Sequence, residues 1–202
     1  TFDNNKVNYE KHEGRGGAIR MTLADYQPEG GSASPTTFLI DSTSFSNCET
    51  GSHGGAISVN GTLGNVTIRN NSSFSNNKAA GARGGAVAIA CSRIGNVSVS
   101  DTTFSGNYAG SLGGALHVGM DGASAPITVG TATVSRCSFS DNKAHGVGGA
   151  LVFTDGQYQS ISVTDTSFNN CDTTGYGGAI GLKQFAETGS GDMLPFSVVG
   201  DV

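Results

Sequence analysis

The sequence predicts an all-β fold, a right-handed parallel β-helix of about six three-stranded coils. Two signatures recur in fixed phase. Gly-Gly-Ala-(Ile/Val/Leu) begins at Gly16, Gly54, Gly84, Gly113, Gly148 and Gly177, and the Phe-x-x-Asn signature opens at Phe2, Phe45, Phe74, Phe104, Phe139 and Phe168. From Phe45 on, each Phe lies nine or ten residues before its Gly-Gly. Self-similarity on this scale marks a solenoid, whose units bury their apolar side only by stacking on neighbours. Apolar residues alternate with period two beside both signatures, and no amphipathic helix pattern separates them, so units of 29, 30 or 35 residues are built from strands alone.

Each coil yields three strands in order. After Gly-Gly-Ala the inward pairs are Ile19/Met21, Ile57/Val59, Val87/Ile89, Leu116/Val118, Leu151/Phe153 and Ile180/Leu182. Before each Phe come Phe38/Ile40, Val66/Ile68, Val97/Val99, Ala132/Val134, Ile161/Val163 and Phe196/Val198. The third strand carries the Phe. If Phe points inward, so do Thr43, Ser72, Thr102, Cys137 and Thr166, and flanking Ser, Thr and Asn residues such as Ser73 and Ser75 point out. Parallel coils stack at ~4.8 Å, so six would make a rod about 29 Å long.

The corner triplets are Gly16, Gly17 and Ala18; Gly54, Gly55 and Ala56; Gly84, Gly85 and Ala86; Gly113, Gly114 and Ala115; Gly148, Gly149 and Ala150; and Gly177, Gly178 and Ala179. A tight corner there needs positive φ or a close backbone approach. At another corner Asn5, Asn77, Asn107 and Asn142 are placed to stack, their amides satisfying turn backbone groups of adjacent coils. Length varies most near Tyr26–Thr36 and Gly119–Thr131, and loops on a solenoid are where function usually sits. Thr1 and Val202 fall at the same point of the repeat and neither end shows a polar cap. The whole of 1–202 is therefore read as one β-helix segment of a longer solenoid, with end-to-end stacking on another copy as the alternative.

Bulk properties narrow the function. Charged residues make 13% and hydrophobic ones 36% of the chain, which fits a folded protein rather than a disordered one. Net charge is −5, which disfavours a nucleic-acid partner. No apolar run reaches the ~18–20 residues a membrane-spanning helix needs. Cys48 and Cys171 fill the Asn slot of their signatures four coils apart, at ~19 Å, beyond disulfide reach. With Cys91 and Cys137 they read as small buried hydrophobes.

An enzyme of this architecture would need carboxylates, or Asp with Arg or Lys, converging on an outer face. The outward positions after Gly-Gly-Ala are Arg20, Ser58, Ala88, His117, Val152 and Gly181, and those of the Phe strand are mostly Ser. The charged column Asp101, Arg136 and Asp165 reads as a surface salt-bridge ladder. His12, His53, His117 and His145 share no metal-ligand spacing and read as solvated turn residues. Arg15, His53 and Arg83 share the slot before Gly-Gly, where solvated turns are expected ahead of an anion-binding stripe. Asp121-Gly122 and Asp155-Gly156 read as turns, without the further acidic ligands of a calcium site. No catalytic group, metal site or cofactor is expected.

The six paired signatures resemble the repeats of the polymorphic membrane proteins of Chlamydia, across essentially the whole chain. Phe2-Asn5, Phe74-Asn77, Phe104-Asn107 and Phe139-Asn142 match the second signature, while Phe45-Cys48 and Phe168-Cys171 depart from it. The resemblance implies the passenger of an autotransporter: a non-enzymatic surface adhesin or scaffold, outside the cell and attached to the outer membrane. Its implied partner is a receptor, protein or glycan, on a host or neighbouring cell. The rival reading is a carbohydrate-active β-helix enzyme with its catalytic group in the long loops.

Overall fold

The structure, a computed structural model, describes residues 1–7, 14–23, 36–119, 127–183 and 196–199. Every strand pairing is parallel and joins equivalent residues of successive coils, which makes the chain a parallel β-helix with three faces. One six-stranded sheet carries the Phe residues, through Phe2–Asp3, Ser44–Ser46, Ser72–Ser75, Thr102–Ser105, Ser138–Ser140 and Ser167–Asn169. A ten-stranded sheet holds both apolar strands of each coil. In the second and third coils these are single long strands, Ile57–Arg69 and Val87–Ser100. Elsewhere they are split, as at Leu116–Gly119 and Ile127–Ser135 or Leu151–Thr154 and Gly156–Thr164. The two strands predicted on either side of the long loops thus share one face.

The remaining face is a six-stranded sheet of two-residue strands: Lys6–Val7, Glu49–Thr50, Lys78–Ala79, Tyr108–Ala109, Lys143–Ala144 and Asp172–Thr173. Sequence reading missed it, because two residues show no period. The available signal was the small side chain two places after the Asn slot: Thr50, Ala79, Ala109 and Ala144 are all buried.

Each coil turns three corners, and each corner has residues at positive φ. Entering the Phe sheet they are Ser42, Asn71, Asp101, Arg136 and Asp165; leaving it, Asn4, Asn47, Asn76, Gly106, Asp141 and Asn170. The third corner uses the first Gly of each pair, φ +62° to +67°. The second Gly has a different reason. A Cβ at Gly85 would lie 1.9 Å from the Gly114 carbonyl oxygen and 2.6 Å from the Tyr108 backbone, so only hydrogen fits between the coils.

Stacked ladders of identical residues fill the interior. Phe45, Phe74, Phe104 and Phe139 are wholly buried, and the ring centroids from Phe2 to Phe168 follow at 4.7–5.0 Å with planes within 9°. Offset stacking of this kind adds about 0.5–1.5 kcal/mol per pair beyond area burial. Ser72, Thr102 and Cys137 are buried beside the Phe ladder as expected, and Thr43 and Thr166 are half-buried. The Asn ladder is equally regular. Asn77 donates to Asn107 Oδ1 at 3.0 Å and to the Phe45 carbonyl at 3.1 Å, and Asn107 donates to Asn142 Oδ1 and the Phe74 carbonyl. Their side-chain oxygens accept the backbone N–H of Cys48, Asn77 and Asn107 one coil earlier. At the two departures from the signature, thiol sulfur takes the place of the amide: Asn5 meets Cys48 Sγ, and Asn142 meets Cys171 Sγ, both at 3.9 Å.

Candidate functional site

The sequence-picked residues split by role. The central signature residues are structural: Asn77, Asn107 and Asn142, and Ala56, Ala86, Ala115 and Ala150, are all wholly buried. Toward the two ends of the described stack the same signature opens, with Phe2 37% exposed and Phe168 and Asn5 half-buried. What is left for contact with other molecules is the outward residue of each column.

On the Phe sheet these are Ser44, Ser73, Thr103, Ser138 and Ser167 in one row and Ser46, Ser75, Ser105, Ser140 and Asn169 in the next, all half-buried or exposed. The hydroxyls bond along the row, Ser73 to Ser44 at 3.0 Å and Ser167 to Ser138 at 3.4 Å. At the edge of the second row Ser46 instead donates to the Asp3 carboxylate of the preceding coil at 2.7 Å, and this hydrogen bond holds the Asp3 carboxyl below its ordinary pKa.

Carboxylates are drawn into ladders between coils. Arg136 clasps Asp101 through two bonds of 2.7 and 2.8 Å, and the Asp165 charge also acts on Arg136, so the predicted column is a ladder. Hydrogen bonding from Arg136 holds the Asp101 carboxyl below its ordinary pKa. Asp41 takes Arg69 at 2.9 Å and is lowered in the same way. Glu49 on the two-residue sheet is bridged by Lys78 and Lys6 at 3.1 and 3.2 Å, which lower its pKa. Lys143 meets Asp172 at 3.3 Å, and Asp141 accepts from Asn170. Asp41, Glu49 and Asp101 are thus held below the ordinary carboxylate range, the opposite of the raised pKa that a general acid needs.

The histidines differ from the sequence reading. His117 is wholly buried, with Nε2 3.0 Å from Thr154 Oγ1, and is therefore not a solvated turn residue. Its neighbours in the supposed outward column, Ser58, Ala88 and Val152, are buried too. The cause is the Gly-Gly corner, which folds back over the start of the long sheet. A Cβ at Gly113 would meet Val152 Cγ1 at 2.9 Å, and one at Gly181 would meet Val147 Cγ1 at 2.3 Å. His53 is half-buried, with Nδ1 2.6 Å from Ser52 Oγ. Burial, then the charges of Arg15 and Arg83, push its pKa down to about 4. His145 is exposed, packs edge-on to Tyr108 and behaves as expected; His12 lies outside the described residues. Asp155 forms the expected turn at φ +39° but is buried, and Asp121 lies outside the described residues.

All four thiols are free. Cys48, Cys91 and Cys137 are buried, Cys171 is half-buried, and burial pushes the Cys137 thiol up to about 11, away from nucleophilic use. Among the described residues no group of three His, Cys, Asp or Glu side chains could hold a metal ion. No helix among them is long and apolar enough to cross a membrane.

No curated protein and no solved structure matches the chain. The family model of the Chlamydia polymorphic membrane protein repeat matches residues 101–119 and 136–154. Each match begins at the positive-φ corner before a Phe and ends with the short strand after Gly-Gly-Ala, so it spans corresponding parts of two successive coils. The fourth and fifth coils are thus similar to the Chlamydia polymorphic membrane protein repeat.

Proposed function

We propose that this chain is a non-enzymatic segment of a surface-displayed passenger domain, serving in attachment to other cells or as a surface scaffold. The observation that carries this reading is the outer surface itself. Its uncharged rows are short hydroxyls, and its carboxylates are tied into ladders one coil apart. A rigid rod with a repeating interior and freely variable outward columns suits recognition over a long surface. The repeat match supports a setting on the bacterial surface, associated with the outer membrane. The partner in this reading is a protein or glycan receptor on the opposing cell.

The test is saturable binding of the folded segment to intact cells, with folding followed by circular dichroism. Binding that competes with unlabelled protein is the expected result. Turnover of pectin-, alginate- or chitin-type polymers, abolished by changing Asp101 or Asp165, would overturn it in favour of a carbohydrate-active enzyme.

A further inference from the structure

The Asn slot of the repeat ties each coil to the next, but unequally along the chain. An Asn side chain offers two N–H donors and a carbonyl acceptor, whereas a thiol offers one weak donor and a weak acceptor. Between the third and fourth coils three slot bonds cross the junction. The Asn77 backbone N–H and Nδ2 both donate to Asn107 Oδ1 at 3.0 Å, and Asn107 Nδ2 donates to the Phe74 carbonyl at 3.0 Å. The fourth and fifth coils are tied by the same three bonds through Asn142, at 2.9–3.0 Å. Cys48 and Cys171 break the pattern. Cys48 Sγ lies 3.9 Å from both Asn5 Nδ2 and the Phe2 carbonyl, but 3.3 Å from the Ser46 carbonyl of its own coil. The Asn5 amide likewise turns to its own coil, donating to the Asp3 carbonyl at 3.2 Å. Cys171 repeats this, with its sulfur 3.9 Å from Asn142 Nδ2, 3.6 Å from the Phe139 carbonyl and 3.5 Å from the Asn169 carbonyl of its own coil. The Phe2 and Phe139 carbonyls therefore face a thiol where those of Phe45, Phe74 and Phe104 accept an amide N–H.

We infer that the solenoid opens first at two planes, between the first and second coils and between the fifth and sixth, and that the second to fifth coils form a cooperative core. Local opening follows the weakest set of contacts. The other ties do not distinguish the junctions. Glu49, Lys78, Tyr108, Lys143 and Asp172 each donate a backbone N–H to the slot carbonyl of the preceding coil at 2.8–2.9 Å. Ring centroids of the Phe ladder stand 4.7–5.0 Å apart at all five junctions. The pairs Lys6–Glu49 and Lys143–Asp172 cross the two weak planes, but solvent-exposed ion pairs contribute little. What differs is the slot bond, which in the central coils is buried and shielded from water. The junction of the second and third coils belongs to the core, because Asn77 still accepts from the Cys48 N–H and donates to the Phe45 carbonyl. A rod so divided can part at set planes while its centre stays folded. Parting at the first plane brings Cys48, wholly buried in the stack, to solvent. Opening at these planes is independent of whether the rod attaches to cells.

The experiment is native-state hydrogen exchange of the full chain by NMR, read at those five backbone N–H groups. It compares wild type with Cys48→Asn, Cys171→Asn, Cys48→Ala and Cys171→Ala. In wild type the Glu49 and Asp172 amides are expected to exchange about tenfold or more faster than those of Lys78, Tyr108 and Lys143. Cys48→Asn is expected to slow Glu49, and Cys171→Asn to slow Asp172, by about fivefold or more, because each restores the missing slot bonds. The Ala variants restore none and are expected to leave both amides as fast or faster. Fraying toward the two ends of the stack would give the wild-type gradient by itself, but not the slowing by Asn. Asn107→Cys moves the defect to the centre and is expected to speed Tyr108 about tenfold, with Glu49 unchanged. Melting curves establish that each variant is folded. Uniform exchange in wild type, unchanged Glu49 and Asp172 in the Asn variants, the same slowing in the Ala variants, or an unmoved Tyr108 in folded Asn107→Cys would overturn the two planes. So would an Asn variant that fails to fold, since the same slot takes Asn in neighbouring coils.

Discussion

Along the Phe sheet the same ring returns in every coil, with centroids 4.7–5.0 Å apart, and the four central rings have no exposure. Along the column before Gly-Gly, an equally regular backbone register carries Arg, His, Arg, Leu, Val and Tyr in turn. Both regions obey the same inter-coil hydrogen bonding. They differ in where the side chain goes. An inward position sees the same neighbours in each coil, so one residue type satisfies it every time. A position at this corner ranges from buried at Leu112 to 81% exposed at Tyr176, so its surroundings, and with them its residue type, change from coil to coil.

The sharpest way to break this contrast is at the Gly-Gly corner itself, where backbone and not side chain is at stake. Gly85→Val would place its Cβ within 1.9–2.6 Å of two backbone segments of the next coil, at Gly114 and Tyr108, neither of which can yield as a side-chain end could. We expect the largest effect here: loss of the cooperative transition and of the β-sheet far-ultraviolet spectrum. Phe104→Ala comes next, expected to cost about 3–5 kcal/mol in denaturant unfolding. Phe2→Ala, at a partly exposed position, should cost clearly less. Asn107→Ala follows at about 2–4 kcal/mol, because the Phe74 carbonyl and the Asn77 N–H lose buried partners. Equal stability of Asn107→Ala and wild type would show that the amide ladder is ornamental.

The pH response tests the corner. The folded-state pKa of His53 lies at about 4, below the ordinary 6.5, so the unfolded chain binds the proton more readily. The stability His53 contributes is complete above pH 6.5 and is lost as pH falls from there to about 4. Urea midpoints measured across that window should fall, and His53→Gln should flatten the slope. Smallest of all is Asp101→Asn at the solvent ladder, where salt screens the pair with Arg136; its effect should vanish at high ionic strength.

Much of this was legible in the chain. Phe-x-x-Asn and Gly-Gly-Ala gave the coil count, the inward Phe and Asn ladders and the positive-φ Gly, since each is dictated by a local requirement repeated in phase. The two-residue sheet was not legible, because Lys78–Ala79 is too short to show alternation. The burial of Ser58, Ala88, His117 and Val152 was hidden for another reason. Period two marks which face a residue takes, but not whether a corner folds back over that face.

The sequence by itself therefore determined the parallel β-helix, the coil boundaries and the interior, because those follow from period and from steric need at single residues. Only the tertiary structure decided which residues meet across the two-residue sheet. Lys6, Glu49 and Lys78 stand 43 and 29 residues apart, with an insertion of unequal length between them. They align because hydrogen bonds between coils fix the register and loops take up the difference. The ion-pair ladder of the two-residue sheet is a property of that register.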